Sequence, residues 1–153
     1  MFEPYLQRRA NFTISTDPAQ LDVAFLHKFL SEEAAWARGI ARETLERAIA
    51  HSLCFGLYDA EAERQIGFAR VISDYATYAY LDDVFVLTEY RGRGLGAWLM
   101  ECIVAHPNLQ GLKRFALTTM DKQEFYAHFG WRALYYPERH MEKLPPGYYS
   151  LKS

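Results

Sequence analysis

The sequence predicts a mixed α+β fold around a central, mostly antiparallel sheet, and three observations carry that expectation. Short apolar runs suited to strands crowd the middle of the chain, and stretches with helical spacing flank them. One strand also feeds a glycine-rich turn, Arg91-Gly92-Arg93-Gly94-Leu95-Gly96, that opens a helix. With 153 residues, 50% of them hydrophobic, the chain is long enough to bury a sizeable core. It is expected to form one domain over 1–153, with a core spanning 11–135 and a tail over 136–153.

Asn11 to Ser15 reads as a short strand that stops at Thr16-Asp17-Pro18. A helix is expected from there to Glu33, with Asp17 as N-cap, Pro18 at the first helical position, and Leu21, Phe25 and Phe29 along one face. Ala41 to His51 reads as a second helix, its charged side solvated. Leu53–Tyr58 and Gln65–Ile72, separated by a polar stretch, predict an antiparallel hairpin, and Leu81–Leu87 predicts the strand that enters the glycine turn.

After the turn, Leu95, Trp98, Leu99, Cys102 and Ile103 repeat at helical spacing, and Pro107 ends that helix near His106. Phe115–Met120 reads as a buried strand. Asp121-Lys122-Gln123-Glu124 has capping-box spacing for a short helix through Phe129, closed by Gly130. Trp131–Leu134 is expected to be a last strand. The Tyr- and Pro-rich tail shows no period, and is expected to pack on the body or against a second copy in a homodimer.

The net charge of −2 creates no general basic field, so nucleic acid is not an expected partner. No run of about 18 apolar residues occurs, and Met1 to Phe12 carries charges, so neither membrane insertion nor export is expected. Cys54 and Cys102 form no metal-like or disulfide spacing, which suits a reducing, cytoplasmic setting. His27, His51, His106, His128 and His140 lack ligand spacing, so no metal is expected.

Chemistry concentrates at the glycine turn. Glycine permits positive φ and close approach of a ligand, and the first N–H groups of a helix have no internal partners. With the helix dipole and Arg91 and Arg93 beside them, those groups suit a pyrophosphate. A ligand-free capping turn and a dinucleotide-binding loop are the alternatives. The latter fits poorly, because Thr88 to Arg91 separate the strand from the first glycine and hairpin strands fill the first half. A P-loop is excluded by the absence of Gly-Lys-Ser or Gly-Lys-Thr.

Val84-Phe85-Val86-Leu87-Thr88-Glu89-Tyr90-Arg91-Gly92-Arg93-Gly94-Leu95-Gly96 resembles the acyl-CoA-binding motif of the GNAT superfamily of N-acetyltransferases, with Arg91, Gly94 and Gly96 at its defining positions. Glu124 to Trp131 is similar to the family's second signature, in which Tyr126 matches a helical tyrosine. Thr88 and Asp121 depart from the Pro and Asn often found there. The resemblance implies the acyl-CoA N-acyltransferase fold, splayed at the cofactor strand and flanked by about four helices, with acetyl-CoA as the cofactor.

It further implies that backbone groups of Val86 and Leu87 pair with the pantetheine arm, that Val84 and Phe85 belong to the same cofactor set, and that amides from Arg91 to Gly96 cradle the pyrophosphate. Asp121 and Phe125 belong to the same implied cofactor set. The Val86 N–H would stabilise the oxyanion, and Tyr126 would protonate the leaving thiolate. The implied reaction is direct transfer to a primary amine of a small or amino-acid-like molecule, with neither cysteine as a nucleophile. A non-catalytic acyl-CoA sensor is the alternative of another class.

For the base, strand alternation with Val84 and Val86 inward puts Asp83 beside Phe85, so Asp83 is preferred to Asp82. The bland alternative is that these aspartates pair with an arginine. Trp36 and Arg38, in the connection between the first two helices, together with Tyr75, Tyr78 and Tyr80, are the candidates for lining the acceptor site.

Overall fold

A computed structural model describes residues 3–148. Its centre is a six-stranded sheet in the order β1-β2-β3-β4-β5-β6, formed by Leu6–Arg9, Phe12–Ser15, Leu53–Asp59, Arg64–Ser73, Tyr78–Val86 and Arg114–Leu117. All neighbours run antiparallel except β5 and β6, which are parallel. Four α-helices among the described residues complete the mixed fold: α1 (Val23–Glu32), α2 (Arg42–Ala50), α3 (Leu95–Ala105) and α4 (Gln123–Ala127). None of them is long and apolar enough to cross a membrane.

The sheet has two different faces. Directly opposed residues of neighbouring strands share a face, so Phe55, Ala69, Val71 and Leu81 line one side together. Helix α3 covers that side, with Leu95, Trp98, Leu99, Cys102 and Ile103 buried as their spacing predicts. On the other side Phe68 and Phe85 pack against α1. Phe29 stacks on Phe85 with ring centres 3.7 Å apart, and Phe25 meets the same ring at 5.9 Å.

The structure corrects the expected elements in five places. The first helix is divided: Asp17 caps a separate 3-10 turn, Pro18–Gln20, and Asp22 caps α1 by accepting from the Phe25 N–H. The break is held because the Asp22 N–H donates to Gln65 Oε1 on β4 at 2.9 Å. A strand absent from the sequence reading, β1, pairs with β2 through a tight turn at Ala10. All four of its residues are exposed, so it lacks the apolar alternation that marks a strand.

At α4 the expected capping box does not form. Lys122 is the N-cap without a side-chain bond of its own, its N–H donates to Thr119 Oγ1, and Asp121 stays exposed. Trp131–Leu134 is not a strand either. The Trp131 N–H donates back to the Tyr126 carbonyl, and its ring turns inward edge-on to Phe115. The tail touches the body where Arg114 approaches the His140 ring at 2.9 Å; residues 149–153 lie outside the described set.

The fifth correction concerns the phase of β5, where Phe85 rather than Val84 and Val86 is buried against α1. Tyr80 and Asp82 oppose Ile72 and Arg70, but Phe85 opposes Phe68, so one extra residue has entered β5 between them. Asp83 occupies that bulge with a φ of 53°, a conformation uncommon for a residue with a side chain. The extra residue restarts the alternation, bringing Phe85 onto the face of Asp82.

Candidate active site

The bulge lies where the sheet opens. Strand β6 pairs with β5 only from Tyr78 to Leu81, leaving the rest of that edge of β5 unpartnered by β6. On the opposite edge β5 stays bonded to β4, and the Leu87 N–H donates to the Ile66 carbonyl at 2.9 Å. In an antiparallel ladder bonded and non-bonded pairs alternate. Phe85 and Leu87 therefore turn their backbone groups to β4, whereas Val86, and Val84 before it, turn theirs to the open edge. Of the four β5-side residues in the implied cofactor set, the two valines turn their N–H groups to the gap, although the Val86 carbonyl accepts from Arg91 Nε. Phe85 and Leu87 instead have buried side chains and N–H groups directed to β4.

At the end of this gap a 3-10 turn, Thr88–Tyr90, leads into the glycine turn. Gly94 is the N-cap of α3, left-handed at φ 75° and ψ 9°, and no side chain bonds the N–H groups of the first turn. Gly92 is also left-handed, at φ 79°. The result is a run of backbone donors at the positive end of an eleven-residue helix. The two arginines are not symmetrical. Arg91 folds back so that Nε donates to the Val86 carbonyl at 3.3 Å, while the Arg93 guanidinium lies 5.1 Å from the centre of the Tyr90 ring.

Helix α4 closes the other flank. Phe125 lies over the start of α3, since a Cβ built on Gly96 would sit 3.8 Å from its Cζ. Tyr126 packs edge-on to Phe125 and Trp131, and burial raises its phenol above the ordinary value of 10.0. A phenol in that state keeps its proton through the neutral range.

On the α1 side of the sheet, both candidate aspartates meet a residue the sequence reading passed over. Arg70 Nε donates to Asp83 Oδ2 at 2.8 Å, Nη2 to Asp82 Oδ2 at 3.1 Å, and Nη1 to Ser52 Oγ at 3.1 Å. The Asp83 N–H donates to Asp82 Oδ1, and Trp36 Nε1 donates to Asp83 Oδ1 at 2.9 Å. Asp83 is enclosed, whereas the Asp82 side chain keeps 32% of its surface. Arg70 was detectable as the one full charge inside the otherwise apolar Ile66–Ile72, because a charge there requires partners.

The remaining acceptor-side candidates divide. Trp36 joins this cluster, and Tyr75 lies beside Cys54, which opposes Arg70 across the sheet. Burial, with Cys54 beside it, raises the Tyr75 phenol, and that tyrosine is held left-handed at φ 62° in the β4–β5 loop. Tyr80 shares the sheet face of Asp82 and donates to Thr118 Oγ1 at the end of β6. Tyr78 stands exposed at the start of β5, and Arg38 is exposed with no ion pair among the described residues. Cavities of about 470 and 250 Å³ lie elsewhere, one beside Tyr58 and Gln65 and the other between α1 and Thr88. Neither is lined by the glycine turn, Tyr126 or the two aspartates.

Residues 50–133 match the family model described as the acetyltransferase (GNAT) domain, and they contain the bulged strand, the glycine turn and Tyr126. The chain belongs to the GNAT acetyltransferase family. A Xanthomonas campestris acetyltransferase of the GNAT family has a similar solved structure, with a TM-score of 0.85 and 50% identity, covering 91% of this chain and 96% of that one. A Gibberella zeae protein named as an acetyltransferase is 33% identical over 144 residues, 81% of this chain and 80% of its own length. The thialysine N-epsilon-acetyltransferase of Mus musculus is 28% identical over 100 residues, 60% of this chain and 56% of the mouse protein.

GNAT acetyltransferases use acetyl-CoA, and the groove of this one fits it on its own geometry. Left-handed glycines leave uncapped amides of the kind that would suit a pyrophosphate, and the outward N–H groups of Val84 and Val86 would suit an amide-bearing arm.

Proposed function

We propose that this chain transfers the acetyl group of acetyl-CoA directly to the primary amine of a small, amino-acid-like molecule. The observation that carries the reading is the outward N–H of Val86. It stands on the unpaired stretch of β5, on a chain segment that runs into the glycine cap of α3. Acetyl-CoA supplies a thioester carbonyl; the protein's part is to hold it, accept developing negative charge and move protons. The Val86 N–H is the donor to the oxyanion. Tyr126, kept protonated by burial, gives its proton to the departing sulfur.

On the acceptor side two carboxylates face one guanidinium, so the cluster favours an ammonium. Asp82, the more open carboxylate, holds that ammonium and takes its proton through water. Trp36, Tyr75 and Tyr80 supply aromatic walls. Neither cysteine acts as a nucleophile, because burial pushes the Cys54 thiol up to about 12 and Cys102 to about 11. The name of the mouse relative points to an amino-acid side-chain amine, which supports a small acceptor of that kind.

Thiol release from acetyl-CoA, followed across amino acids, small amines, peptides and polyamines, tests the reading. Turnover with small amino-acid-like amines is expected. Activity confined to peptides or polycationic amines removes the proposed acceptor class, and binding of CoA without release from any amine makes the chain a sensor instead.

A further inference from the structure

The residue that creates the opening in β5 is also the residue held by the acceptor-side turn. Asp83 takes a left-handed conformation without being glycine, so something must hold it there. Four bonds do so. Its N–H is clamped by the Asp82 carboxylate, one carboxylate oxygen receives Arg70 Nε, and the other receives the indole N–H of Trp36. Arg70 is itself fixed, because Nε, Nη1 and Nη2 each have a partner and its side chain keeps only 11% of its surface. Trp36 differs. It is 43% exposed and sits on a short 3-10 turn, Ala35–Ala37, so an acceptor can reach its ring while its N–H stays bound to Asp83.

We propose that Trp36, Asp83 and Arg70 form a mechanical linkage between the acceptor side of the groove and the cofactor strand, with Trp36 and Arg70 as positioning residues. They fix the bulge, and the bulge sets which β5 amides face the gap. Without the extra residue the alternation of β5 against β4 would invert, and the Val86 N–H would point into the ladder. Contact of an acceptor with the Trp36 turn therefore favours the strand geometry that receives the pantetheine arm, and by reciprocity bound CoA favours the acceptor. Asp83, enclosed with both oxygens engaged, is a clamp; Asp82 is bonded through both oxygens as well, but its greater exposure makes it the carboxylate that faces the amine.

The inference rests on the groove being the CoA site, so its test has one readout that needs CoA and one that does not. Calorimetric CoA binding, which requires no turnover, is compared for wild type, Trp36→Phe, Asp83→Asn and the double variant, with Arg42→Ala as a remote surface control. Trp36→Phe keeps the ring but removes the N–H, and is expected to weaken CoA binding about three- to tenfold. The double variant should lose little more than the worse single variant, because both cut one linkage. In the unliganded protein, amide hydrogen exchange at Phe85 and Leu87 should quicken in Trp36→Phe and stay unchanged in Arg42→Ala. Unchanged exchange, or full additivity of the two single variants, overturns the linkage. A wild type that binds no CoA overturns the acetyl-CoA reading instead, and the exchange rates then decide the linkage alone.

Discussion

Tyr126 is the side chain whose proposed role can be isolated most cleanly. Its ring is held by Phe125 and Trp131, so Tyr126→Phe deletes the hydroxyl and preserves the packing. If the phenol protonates the leaving thiolate, kcat should fall by ~100-fold or more while CoA affinity stays within about twofold. Steady-state kinetics with parallel calorimetry checks this, and a kcat within about threefold of wild type excludes the acid role. The helical position of Tyr126 was legible in the sequence because a tyrosine before Phe-Gly-Trp is a local pattern. Arg70 was not read there, since its partners are a strand away in Asp82 and Asp83 and another is in the loop at Ser52. The preference between the two aspartates depended on alternation, and a single bulge residue reversed that argument.

The same contrast appears among the elements. Helix α3 was readable throughout, because Leu95, Trp98, Leu99, Cys102 and Ile103 all serve one buried packing surface and Pro107 ends it. The first helix and α4 were not, because their starts are fixed by bonds from elsewhere: Gln65 takes the Asp22 N–H, and Thr119 takes the Lys122 N–H. The glycine cap was readable as a turn, and the structure separates its conformational need from its spatial one. No atom lies within 4 Å of a Cβ built on Gly94, yet its φ is +75°. Gly94→Ala should thus cost about 1–2 kcal/mol through backbone strain alone, and Gly94→Asn less, because asparagine tolerates the left-handed region. Urea titrations of the three proteins should give the order Gly, Asn, Ala from most to least stable. An alanine variant as stable as wild type would show that the cap relaxes without penalty.

Across the whole molecule, His106 joins parts distant in sequence. It follows α3, its ring lies 5.1 Å from Tyr5 just before β1 and 5.6 Å edge-on from Phe55 on β3, and it is 2% exposed. Its Nδ1 accepts from the Asn108 N–H at 3.1 Å, a bond that requires that nitrogen unprotonated. Burial lowers its pKa from the ordinary 6.5. The unfolded chain therefore takes up a proton at a higher pH than the folded one. The contribution of His106 to stability is complete above about pH 7 and is lost as pH falls below 6.5, until the folded protein protonates as well. Thermal melts between pH 7.5 and 5 should show a falling Tm. His106→Asn supplies an amide oxygen in place of Nδ1 and cannot titrate, so it should lower Tm at pH 7.5 through lost ring packing but flatten its decline toward pH 5. An equally steep decline in that variant would place the acid sensitivity elsewhere in the protein.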